Sequence, residues 1–304
     1  MTRLKSLLLR ALLGVLVASA AVGIWAALSY REHVLREPGP HIEHKAILEI
    51  IAQESPVLYN DRETRLGVFF AQEHRQYVPY DEIPQAWVQA IVSAEDQRFF
   101  EHPGVDLKGL GRAMRDNLKA GRVVAGGSTL TQQTAKNLYY RPDRSARSKW
   151  EELVNALRLE AHHSKEDILE YYANQFHVSA NGRGLGIAAR YFFNKEVGEL
   201  DILECAFLAG MVKAPANYNP FIGNSVERRT AAVRRATART RYVLDRMLAT
   251  GAIDAPTHAA LIAREIPFQR GTFRYDTHIL IDEVEARLQQ EPFPSLFASL
   301  GIDN

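Results

Sequence analysis

The sequence predicts a mainly α-helical protein behind a single apolar N-terminal helix. Three observations carry this. Residues 11–28 form an uncharged run rich in Leu, Ala and Val, and about 20 apolar residues suffice to cross a bilayer as a helix. From Asp81 onward apolar residues recur at helical spacing almost throughout. Capping residues and helix-stopping Gly or Pro punctuate those stretches. The composition is globular, 46% apolar and 24% charged. A net charge of +1 gives no global field to attract nucleic acid, and none is expected as a partner. The single cysteine, Cys205, excludes an internal disulfide and, inside an apolar run, reads as a small core residue.

The elements follow in order. Arg3, Lys5 and Arg10 precede the apolar run and Arg31 follows it, which favours a cytoplasmic N-terminus with the remainder outside. Ala18-Ser19-Ala20 keeps a cleaved signal peptide open as the rival to an uncleaved anchor. Residues 32–53 read as a charged juxtamembrane linker with an amphipathic stretch at 42–51. Val57-Leu58-Tyr59, Asn60-Asp61 and residues 66–70 read as a short hairpin. Asp81 is the expected cap of a helix with Pro84 in its first turn and Trp87, Ala90, Ile91 and Ala94 as its stripe. Ser128 is the expected cap of a helix over 129–138. A third helix covers about 146–162, with Trp150, Leu153, Val154 and Leu157 on one face. Ser164 with Asp167 makes a capping box for a fourth, 165–176. Further helices cover 200–212 and 226–249, the latter arginine-rich and ended near Gly251, and a last one starts after Pro256.

Several residues could do chemistry. Glu95 falls at the edge of the apolar stripe, beside Val88 and Ile91, with Asp96 turned to the polar side. A partly desolvated carboxylate suits acid–base work, although an ordinary boundary glutamate fits the same position. Gly126-Gly127-Ser128-Thr129-Leu130-Thr131-Gln132-Gln133 opens a helix with a glycine pair and a run of hydroxyls and amides. That suits a wall bonded to sugar or phosphate, with Lys136 two turns in, but lacks P-loop spacing. Lys149 and Glu152, at i and i+3, read by periodicity alone as a solvated ion pair. The histidines do not sit at zinc-ligand spacings. The arginine-rich helix reads as a solvated face that could touch phosphate or lipid head groups.

Together these segments resemble the peptidoglycan glycosyltransferase family, which comprises the glycosyltransferase module of class A penicillin-binding proteins and the monofunctional transglycosylases. Residues 95–104, EDQRFFEHPG, match the family's EDxxFxxHxG. Residues 127–133, GSTLTQQ, with Lys136 and Asn137, match its second motif. Lys149 and Glu152 match part of a third, RKxxE; KEDILEYYAN resembles a fourth and AFLAGMVKAPANYNP a fifth. All five stand in family order within about 54–265.

The resemblance implies a lysozyme-like helical lobe beside a smaller jaw that dips into the membrane. It implies lipid II and a growing glycan strand as substrates, membrane lipid as a surface, and other cell-wall synthesis proteins as potential partners. Glu95 would be the general base of an inverting transfer that releases undecaprenyl pyrophosphate, with Glu152 as a second catalytic carboxylate. Lys136, Arg144 and Lys149 would meet the pyrophosphate charge, and Arg112 matches another basic cleft residue. Ser128, Thr129, Gln132 and Gln133 would line the donor side. No cofactor is required with certainty; a divalent cation, Mg or Mn, approached by Glu152 is the one the family admits.

There are departures. Ser148 stands where the third motif usually has Arg, with Arg147 one place early. One residue along a helix turns a side chain by about 100°, so Arg147 cannot simply replace it. Asn194 stands for a usual Gly. The expected organisation is an N-terminus and anchor at 1–31, a linker at 32–53, a glycosyltransferase domain at 54–265, and an extension at 266–304. That extension faintly resembles the start of a linker to a transpeptidase, of which no SxxK, SDN-type or KTG triad follows. The place expected is the bacterial cytoplasmic membrane, single-pass, with the catalytic part outside. Two other readings stand beside this one: an inactive family member acting as a scaffold, and a lytic transglycosylase or muramidase.

Overall fold

A computed structural model describes residues 2–52, 55–58, 65–69, 74–122, 126–139, 143, 145–179, 182–223 and 225–271. It is mainly helical. In chain order come α1 (Thr2–Tyr30), a π-helical turn (Arg31–Arg36), a 3-10 turn (Pro40–Ile42), α2 (His44–Ile51), strands β1 (Ser55–Leu58), β2 (Arg65–Phe69) and β3 (His74–Arg75), and α3 (Gln85–Glu95). Then follow α4 (Leu107–Ala120), α5 (Leu130–Leu138), α6 (Ala146–His162), α7 (Lys165–Gln175), β4 (His177–Ser179), β5 (Gly182–Arg183), α8 (Gly184–Phe193), α9 (Ile202–Met211), α10 (Pro215–Tyr218), α11 (Val226–Ala249) and α12 (Ala255–Ile262). The chain forms two compact units that do not follow its linear order. One comprises residues 1–47 with 98–168, the other residues 48–97 with 169–304.

In the first unit, residues 13–36 contain an apolar window of mean hydropathy 1.8 with none of it buried, so this helical stretch is long and apolar enough to cross a membrane, while Val34 near its end is buried. Helix α4 was not expected from the sequence, where Gly109 and Gly111 depress its helix propensity, and its apolar stripe faces outward. Asp106 caps it through Gly109 N at 2.7 Å, and Gly121, at φ +62°, ends it. Only Ala113 of α4 is buried, while Leu107, Leu110, Met114 and Leu118 all lie exposed. Helix α5 begins one residue later than expected. Thr129, not Ser128, is its cap, in a reciprocal box with Gln132. Helix α6 has the expected bounds and the opposite face. Ser148, Glu152, Ala156 and Leu159 are buried, whereas Trp150 is 63% exposed. The apolar stripe read from the sequence is not the packed one.

In the second unit, the β1–β2 hairpin is antiparallel, pairing Ser55 with Phe69; its expected Asn60-Asp61 turn lies outside the described residues. A small sheet orders β3-β5-β4. Helix α9 is apolar on all sides and is buried from Leu203 to Met211, as an all-apolar helix must be. It packs between α3 and α11. Asp201 and Glu204 cap its start, and Glu204, fully buried, meets Lys195 Nζ at 2.8 and 3.0 Å. Phe192, Phe193, Phe207, Phe221 and Phe268 form an adjoining aromatic cluster. Asn174 closes another joint, accepting from Val78 N at 2.9 Å and donating to Val78 O at 2.8 Å. The cap of α3 is Pro84 rather than Asp81, which sits in a separate 3-10 turn over Tyr80–Glu82. Helix α11 ends where expected, with Gly251 at φ +75°.

Candidate functional site

The candidate residues fall in both units, and each part is built by itself. Glu95 is the last residue of α3. At Asp96 the backbone leaves the helix, with φ −156° and ψ 75°. The helical wheel therefore fails there: Asp96, expected on the polar side, is buried at 6% exposure. Glu95 keeps 19% of its side chain exposed. Its Oε1 accepts from Arg239 Nη2 at 2.6 Å. Among the described residues its Oε2 makes no hydrogen bond.

Arg239 was missed as an individual residue, grouped with a solvated helix face. It is in fact 12% exposed. Its Nε donates to Gly210 O at 3.1 Å, and its guanidinium lies 4.7 Å from the Tyr242 ring centre. The signal was available in the spacing. Ala236 and Val243, three residues before and four after, are both buried, so Arg239 shares their face. Tyr172 adjoins this pair. Burial pushes its hydroxyl well above the usual phenol range, the Glu95 charge adds to that, and Arg239 opposes it. With Trp87 and Phe176 stacked nearby, it makes an apolar wall in the same unit.

The first unit holds the cationic candidates. The Thr129–Gln132 box consumes two of the expected lining residues. Thr129 Oγ1 donates to Gly104 O at 2.6 Å, and Gln132 Oε1 accepts from Thr129 N at 3.2 Å. Both residues are buried, so they shape the turn and leave Ser128, which is exposed, at its lip. Gln133 is half-buried and Lys136 exposed on α5. Lys136 lines a small open pocket of about 40 Å³ with Ala135, Tyr139, Ser148, Glu151, Glu152 and Asn155. Glu152 is buried, and Lys149, 47% exposed, is ion-paired to it. The pair is therefore a buried carboxylate held by a half-exposed cation, not the solvated pair that periodicity alone suggests.

Ser148 explains how the departing motif is accommodated. Its Oγ donates to Asp143 Oδ1 at 2.6 Å, on the buried face. Arg147 points outward and pairs with Glu151 at 3.0 Å. Arg112 is half-exposed, 3.7 Å from Asp106 Oδ2, and Asp106 is chiefly held by Arg98. Arg144 lies outside the described residues. Among the described residues no three His, Cys, Asp or Glu side chains converge. Among the described residues Glu152, already held by Lys149, stands as a single carboxylate, and they do not offer the set of oxygens a divalent cation takes.

Comparison with known proteins extends this picture. A family model described as Transglycosylase matches residues 62–248. Penicillin-binding protein 1A of Neisseria flavescens is 36% identical over 246 residues, covering 81% of this chain and 29% of that protein. Penicillin-binding protein 1A of Pseudomonas aeruginosa is 33% identical over 227 residues, covering 75% and 26%. The crystal structure of penicillin-binding protein 1A from Haemophilus influenzae aligns at TM-score 0.41 and 19% identity, over 79% of this chain and 25% of that one. The chain thus spans less than a third of the length of these curated relatives. With five ordered motifs inside a matched segment that takes up more than half of its length, the chain belongs to the transglycosylase family, the peptidoglycan glycosyltransferases.

Proposed function

We propose that this protein polymerises glycan from lipid II at the outer face of the cytoplasmic membrane. Glu95 Oε2 takes the proton of the acceptor sugar's 4-hydroxyl. The oxygen attacks the anomeric carbon of the donor strand from the face opposite the leaving group. The new O4–C1 bond forms as the C1–O bond to phosphate breaks, configuration inverts, and undecaprenyl pyrophosphate departs. A neutral hydroxyl is a poor nucleophile, so a positioned base is required. Lys136, Lys149 and Arg144 meet the charge that grows on the leaving pyrophosphate. Glu152 orients Lys149 by their ion pair, and Ser128, Gln133 and Arg112 border the donor.

The observation that carries this reading is Glu95 itself, fixed through one oxygen by Arg239 with the other oxygen uncommitted among the described residues. Residues 13–36 and the exposed apolar face of α4 support work at a membrane. Arg3, Lys5 and Arg10 before the apolar run support a cytoplasmic N-terminus.

The test is the full chain with purified lipid II in detergent or vesicles. Long glycan is expected from the wild type and none from Glu95→Gln. No polymer from the wild type sinks the proposal in favour of a scaffold, and release of fragments from preformed glycan favours a lytic enzyme.

A further inference from the structure

The juxtamembrane segment reaches the back of the Lys136–Glu152 pocket, and all the residues involved lie in the first unit. His41 makes the link. Its Nε2 lies 3.3 Å from Asn155 Oδ1. Its ring meets the Tyr139 ring edge-on, with centres 5.1 Å apart at 89°. Its main-chain oxygen accepts from Tyr139 Oη at 3.1 Å. Tyr139 and Asn155 are both pocket walls, on the elements that also present Lys136 and Glu152. Burial raises the Tyr139 hydroxyl above the usual phenol range, opposed by Arg158, so that it remains a donor.

The seat of His41 is built into the chain. Gly39 has φ +92°, and a Cβ there would lie 2.8 Å from His41 Cε1. The ring occupies space that only glycine leaves open. Pro40 opens the turn that carries His41, and His163 Nε2 bonds the carbonyl at its end, Ile42 O, at 2.6 Å.

We propose that His41 is a positioning residue for transfer. It holds Tyr139 and Asn155 so that Lys136, and Lys149 through its ion pair with Glu152, keep the geometry that receives the pyrophosphate of the leaving group. The membrane-proximal linker then belongs to the site rather than merely tethering it. This rests on the transfer reading above for its kinetic consequence, but not for its effect on anion binding.

The experiment uses the full chain in detergent, with His41→Ala, His41→Gln and Gly39→Ala beside the wild type. Thermal melts first establish that each variant folds. Misplacement of a charge-stabilising group costs about tenfold to a hundredfold in kcat with KM for lipid II little changed. His41→Ala and Gly39→Ala should show that loss, and His41→Gln, which keeps a side-chain N–H, should recover part of it. Calorimetry with inorganic pyrophosphate should show weaker binding to His41→Ala than to wild type. Equal pyrophosphate affinity and equal kcat in a folded His41→Ala protein overturn the inference. If the wild type forms no polymer, the pyrophosphate titration still decides: a difference supports the positioning role and equality refutes it.

Discussion

Replacing Arg239 by Met tests the part of the site that motif matching did not supply. The substitution keeps an unbranched stem against Tyr242 and removes two donors, one to Glu95 and one to Gly210 O. Hydrogen bonds to charged groups contribute about 1.5–3 kcal/mol each. Breaking a fully buried ion pair costs about 3–5 kcal/mol. Glu95 retains 19% exposure, so water partly replaces the lost partner. A destabilisation of about 2–3 kcal/mol follows from these limits. The larger effect is on rate. On the proposed role of Glu95 as base, freeing it to rotate loses its near-attack geometry, which costs about tenfold to a hundredfold in kcat. The assay is lipid II polymerisation with kcat and KM resolved, in Arg239→Met, Glu95→Gln and the double variant. Because both residues act through one carboxylate, the double variant should be no slower than Glu95→Gln alone. Arg239→Lys should fall between, since an ammonium cannot span Gly210 O and Glu95 as the guanidinium fork does. A folded Arg239→Met protein with wild-type kcat would refute the positioning role.

Three other outcomes follow from the same geometry. His163 has its pKa lowered, mainly by burial, with the Ile42 carbonyl and Asp167 opposing and His44 and His162 adding to the shift. The folded state therefore binds fewer protons there, so its contribution to stability is present above about pH 6.5, the unfolded value, and is lost as pH falls through the lower folded value. Hydrogen-exchange protection at residues 33–42, corrected for the intrinsic rate at each pH, should fall on that acidification and should fall less in His163→Gln. Gly104→Ala places a Cβ 2.9 Å from Glu160 Cγ at φ +86°, and denaturant melts should show a loss of about 1–3 kcal/mol. Burial pushes the Cys205 thiol up to about 12, so iodoacetamide at pH 8 should label it only after unfolding.

Helix existence was largely legible because caps and periodicity are local. The Ser164–Asp167 box and the bounds of α6 and α11 came straight from such signals. Faces were less legible. In α6 the pattern pointed to Trp150 and Leu157, yet Ser148 and Glu152 turn inward, where Asp143 and Lys149 satisfy them, and periodicity reports apolar residues but not such pairings. Helix α4 hid behind two glycines and an outward stripe. Glu95 stands in the first motif of the resemblance, but its ion-pair partner lies 144 residues away. No local pattern reports such a contact, except that Arg239 falls on a face otherwise made of buried residues.

The docking of the linker has an evolutionary consequence. Arg158 Nε bonds His33 O at 2.9 Å, His162 Nε2 bonds Val34 O at 2.7 Å, His163 bonds Ile42 O, and Tyr139 bonds His41 O. All four contacts address main-chain carbonyls, which every residue type presents alike. Side chains between 33 and 42 other than the buried Val34 and Ile42 and the seated His41 are therefore free to drift while the strap stays seated. What selection must keep is the path of the chain: its length, the glycine that makes room at position 39, the His41 ring and the buried Val34 and Ile42, and the four donors on the receiving surface.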